Sequence, residues 1–174
     1  MHGDLFAQAE MLARVDARKP KQVNLRRAVS SAYYGVFHYL VDESCRSVFG
    51  TQHGPSVYRH SLGRAFVHST MKQACVSFAG GTLREAVIKG LPRDRNGKYP
   101  VHASIRLMAH VFTELQEKRH LADYDRNERF KRSEVLPLIE QAKKETAKFA
   151  ALPDSDEKRF FLACLWAWKE LNNR

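Results

Sequence analysis

The sequence predicts an all-α fold, an up-and-down bundle of five to six helices. Three observations carry this. Apolar residues recur at spacings of three and four along most of the chain. No stretch shows the strict alternation of a half-buried strand. Brief segments rich in Gly and Pro separate the periodic runs, as expected for neighbouring helices joined by short turns. With 174 residues and a hydrophobic fraction of 44%, the chain can bury a core without disulfide staples.

Leu5, Ala9, Leu12 and Val15 set the first helix over about 4–17, and Lys19-Pro20 stops it because proline disfavours helical geometry in the residue before it. The second begins near Asn24 or slightly earlier. It buries Leu25, Val29, Ala32, Val36, Leu40, Cys45 and Val48, and ends at Gly50. TQHGPS (51–56) reads as a loop. Residues 57–78 form one helical stretch with Leu62, Phe66, Ser69 and Gln73 on its stripe, and Ala65 and Val76 beside it. A short helix follows from Leu83 to Lys89. PRDRNGKYP (92–100) is a loop, and Pro100 suits the first turn of the next helix, where no N–H is needed. Val101, Ile105, Met108, Phe112 and Leu115 carry that helix to Arg119 or beyond. DYDRNERFKRS (123–133) is a charged loop. Ser133 is a suitable N-cap for a helix that tolerates Pro137 in its first turn and buries Ile139, Ala142, Thr146 and Phe149. Asp154 or Ser155 caps a last helix that buries Phe161, Cys164, Leu165, Trp168 and Leu171. The expected organisation is a bundle over residues 1–152 with an additional helix, 153–174, on the same domain.

Composition narrows the function. The formal net charge is +10 and the pI about 9.7, which favours RNA, DNA or another polyanion as partner. The three cysteines have no C-x-x-C spacing, and Cys45 and Cys164 sit on apolar helical stripes, so buried free thiols in a reducing compartment, hence the cytoplasm, are expected. No apolar run is long enough for a membrane span and the first residues lack the pattern of a signal peptide. The eight histidines form no zinc motif. Phosphate-binding glycine loops and serine nucleophile elbows are missing as well, so neither a metal nor a cofactor is expected.

The basic residues are unevenly spread. Arg93, Arg95 and Lys98 crowd one loop, and Arg126, Arg129, Lys131 and Arg132 another, with Tyr99, Tyr124 and Phe130 nearby. Cations neutralise phosphates and aromatic faces stack bases, so both loops are candidate RNA contacts; the alternative is a solvated loop that serves solubility. The second helix carries an unusual polar set. Arg26, Ser30 and Tyr33 lie close to one face, and Tyr34 and His38 are i, i+4 neighbours.

RRAVSSAYYGVFHYLVDE (Arg26 to Glu43) resembles the second-helix signature of the HEPN family (higher eukaryotes and prokaryotes nucleotide-binding domain). AQAEMLARV (Ala7 to Val15) is similar to its first helix. ELQEKRHLADYD (Glu114 to Asp125) looks like its last core motif, in the branch where Arg is followed by Ala-Asp-Tyr. The resemblance implies an RNA-associated, dimeric bundle of toxin or defence type, in some cases paired with a nucleotidyltransferase-like protein. It marks Arg26, Ser30, Tyr33, Tyr34, His38 and Asp123 as motif residues. It also places Arg119 at the arginine of a metal-independent ribonuclease motif, in which four to six residues separate an Arg from a His. Tyr124 and Asp125 stand where that His is expected, so His120 is the remaining candidate base. The same spacing occurs at Arg46 to His53 and Arg95 to His102, which chance accounts for. Three readings follow: an RNA-binding protein with a degenerate ribonuclease motif, a helical module that pairs with a protein partner, and a working metal-independent ribonuclease.

Overall fold

A computed structural model describes residues 1–50, 57–81 and 83–172. The described residues hold eight helices and no strand: α1 (His2–Arg14), α2 (Gln22–Phe49), α3 (Val57–Gly63), α4 (His68–Ala79), α5 (Glu85–Ile88), α6 (Ala103–Tyr124), α7 (Arg132–Ala150) and α8 (Asp156–Asn172). The all-α expectation holds, and the helix count exceeds the expected five to six. The expected 51–56 loop, with His53, lies outside the described residues. No described helix is long and apolar enough to cross a membrane.

The extra helix arises where one run was expected over 57–78. α3 stops at Gly63, and the chain restarts at α4 after Val67, which is extended at φ −113° and ψ 127°. The break resets the helical phase. Ser69, Gln73 and Val76 therefore face outward, while Thr70, Met71, Ala74, Cys75 and Phe78 are buried.

The chain divides into two compact units, Met1–Tyr39 with Val111–Ala150, and Leu40–His110 with Ala151–Arg174. In the first, α1 packs on α7. α1 buries Phe6, Ala9 and Ala13, whereas Val15 lies past its end and is exposed. Gly35 lets α1 approach α2 closely, because a Cβ there would meet the Phe6 ring at 3.0 Å. Tyr33 packs on Phe112 with ring centroids 5.6 Å apart, and Tyr39 meets Phe149 edge-on. α7 begins one residue earlier than Ser133, so Ser133 is not its cap and Pro137 falls in the second turn. The donor missing there would face the carbonyl of Ser133. Both residues are exposed, so that carbonyl can be hydrated.

In the second unit, α8 packs on α4 and α5. Phe78 is wholly buried, its ring 4.9 Å from that of Phe161 and 6.4 Å from that of Trp168. The Ser155 hydroxyl accepts from the Lys158 amide at 3.2 Å and caps α8 as expected. Pro100 lies before α6, whose first turn is instead closed by His102: its Nδ1 accepts from the Ser104 amide at 3.1 Å. The three cysteines are free and buried, and burial pushes the Cys164 thiol up to about 12.

Candidate functional site at the end of α6

All the motif residues, together with Arg119 and His120, fall in the first unit, and most of them converge on the last turns of α6. A helix ends with carbonyls that lack intrahelical partners. Here Arg26, from α2, satisfies them. Its Nη1 donates to the carbonyls of Ala122 at 2.7 Å and Leu121 at 3.4 Å, and its Nη2 to those of Asp125 at 2.8 Å and Glu128 at 2.7 Å. The planar fork of arginine suits such a multiple clamp. Gln22 extends it, for its amide exchanges two hydrogen bonds with the backbone of Phe130, at 2.8 and 2.9 Å. The sequence reading missed Gln22, and no periodicity or motif marks it.

One helical turn along α2, the Ser30 hydroxyl donates to Asp123 Oδ1 at 2.8 Å. The other carboxylate oxygen lies 2.6 Å from Arg119 Nε, an i, i+4 ion pair along α6. Arg119 Nη2 donates to the Tyr34 hydroxyl at 3.1 Å. The guanidinium carbon stands 5.7 Å from the Tyr33 ring, 5.6 Å from Tyr34 and 5.9 Å from Tyr124. Burial opposes its charge, yet Tyr34, Asp123 and the other two tyrosines outweigh that and hold its pKa above the ordinary arginine value. Tyr33 is fully buried, whereas Tyr124 is 66% exposed. The site is thus an arginine in a tyrosine cage with one wall open to solvent.

His120 is exposed and its ring lies 5.0 Å from that of Tyr124. His38 stacks on Tyr34 at 6.1 Å, and burial lowers its pKa from the ordinary 6.5. The unfolded chain then binds more protons at His38 than the folded one. The stability of the neutral imidazole is present above pH 6.5 and is lost as the pH falls through the lower folded value. An NMR titration should find His38 half-protonated below pH 6.5; a midpoint above that value would contradict the burial account.

The basic residues divide between the units. Arg126, Arg129 and Lys131 are exposed in the loop that follows Tyr124, with Lys131 Nζ 3.4 Å from Glu134. Arg132 is otherwise engaged. Its guanidinium donates to the carbonyls of Ala13 and Ala17, each at 3.0 Å, and to that of Asp16, capping the end of α1. Arg93, Arg95 and Lys98 are exposed in the second unit, where Arg93 pairs with Glu85 at 2.5 Å. Tyr99 and Phe130 are buried, at 8% and 4% exposure, and cannot stack a base. In the Arg95 to His102 spacing, the imidazole is engaged as the cap of α6. The described residues hold no group of His, Cys, Asp or Glu that could bind a metal ion. Comparison with protein-family profiles, with curated proteins and with solved structures returns no significant match.

Proposed function

We propose that this chain is an RNA-associated helical bundle of the HEPN type that binds single-stranded RNA at the end of α6 and does not cleave it. The observation that carries the reading is the exposed Tyr124, set against the Arg119 guanidinium on one side and followed in the chain by exposed Arg126, Arg129 and Lys131. A base can stack on the tyrosine while the cations take the flanking phosphates. Binding without cleavage is supported by the placement of the two candidate catalytic groups and by the missing histidine of the motif. Arg119 is turned to Asp123 and Tyr34, and His120 lies against Tyr124. Neighbouring helical positions diverge by about 100°, which makes it hard for both side chains to reach one phosphate.

Fluorescence anisotropy with a short single-stranded RNA tests this. Binding is expected at roughly 50 mM salt, with affinity falling steeply by about 200 mM. Tyr124→Ala should weaken it about ten-fold through lost stacking. Charge reversal at Arg129 and Lys131 should weaken binding to all sequences alike. An RNA that stays unbound at low salt would overturn the proposal and favour a protein partner instead.

A further inference from the structure

We infer that Asp123 is an internal counter-anion that an RNA phosphodiester must displace from Arg119, so that this carboxylate sets the affinity and salt response of the α6 face. The inference rests on the RNA reading above and deepens it. Arg119 Nε lies 2.6 Å from Asp123 Oδ2 but is covered from solvent and makes no aligned hydrogen bond, so a phosphate oxygen would reach it only in place of the carboxylate and could supply the bond it lacks. Both side chains remain partly solvated, at 19% and 25% exposure. An i, i+4 pair of that kind is weak, and exchange of one oxyanion for another at the guanidinium is cheap. The Ser30 hydroxyl holds the second oxygen of Asp123 at 2.8 Å, so displacement from Arg119 requires the carboxylate to turn about that anchored oxygen. The Tyr34 hydroxyl, 3.1 Å from Nη2, keeps the guanidinium oriented during the exchange. Asp123 therefore lowers affinity in the resting protein, since one cation of the face is already neutralised and a like charge faces the ligand.

The experiment compares wild type, Asp123→Asn, Arg119→Ala and the double variant in RNA binding over a salt series. Asparagine keeps one oxygen to accept from Ser30, and in place of the oxygen that faces Arg119 it presents an uncharged amide NH2. Asp123→Ser serves as a second neutral variant should the first fold poorly, and Asp123→Glu as the charged control. Asp123→Asn should bind RNA about five-fold more tightly at roughly 0.1 M salt, and the slope of log K against log salt should steepen by up to about 0.7, because in the wild type the displaced carboxylate takes up a cation that offsets one released from the strand. Arg119→Ala in that background should abolish both gains, and Asp123→Glu should behave as wild type. A parallel arm follows the Arg119 Nε–H NMR signal while inorganic phosphate is added, with a larger response expected in Asp123→Asn. If the neutral variants gain nothing with RNA or with phosphate, Asp123 is only a tie between helices and the inference is overturned. If phosphate moves the Arg119 signal more in Asp123→Asn while no variant binds RNA, the counter-anion role stands and the RNA reading fails.

Discussion

Phe78→Ala should destabilise the protein by about 4 kcal/mol, the largest loss expected from a single core truncation here. The ring is 0% exposed and meets Phe160, Phe161 and Trp168, so it joins α4 to α8 through an aromatic cluster. Alanine forfeits the transfer energy of the ring and leaves a cavity that three rigid neighbours cannot collapse to fill. Phe78→Leu should recover most of the loss, because it restores volume without polarity. Urea unfolding followed by circular dichroism measures both. The starting signal should be that of a chain well over half helical, and a loss below about 2 kcal/mol for alanine would show that the cluster is looser than its ring distances imply.

Arg26→Ala should cost about 3 kcal/mol, although no apolar core is touched. The substitution removes a charged donor from the carbonyls of Leu121, Ala122, Asp125 and Glu128. Hydrogen bonds to a charged group contribute more than neutral ones, and the half-buried carbonyls of Ala122, Asp125 and Glu128 would lose the guanidinium, whereas that of Leu121 keeps the Asp125 amide. Arg26→Lys should rescue little, since one ammonium cannot serve as a planar fork to several acceptors. The segment from Asp125 to Phe130 should also lose order, which amide hydrogen exchange would register as faster exchange there than in α7. A stability loss below about 1 kcal/mol would mean that water replaces the guanidinium without penalty.

The helical runs were legible wherever one unbroken face is buried. Leu25, Val29, Ala32, Val36, Leu40 and Cys45 on α2 are all buried, as are Ile105, Met108, Phe112 and Leu115 on α6, whereas Val48, near the end of α2, is exposed and Val101 lies before α6. The third run was legible as helix and illegible in phase, because four residues outside the helix after Gly63 shift every later residue to a new face. The α2 and α6 signatures were visible as unusual polar residues, but their spacing carries no statement of who bonds to whom. Arg132 was read as an RNA contact from its neighbours in sequence, whereas its guanidinium is engaged by carbonyls more than a hundred positions away.

By itself the sequence determined the all-α class, the stripes of α2, α6 and α8, and the buried positions of Cys45 and Cys164. Each of these depends on burying an apolar face, which local spacing encodes. Only the tertiary structure decided that Arg26 and Arg132 cap helices, that Tyr99 and Phe130 are inside while Tyr124 is outside, and that Arg119 is paired with Asp123 beneath Tyr34. A long polar side chain reaches many partners at similar cost, and the one it takes is set by which unpaired carbonyl or carboxylate the fold brings within reach.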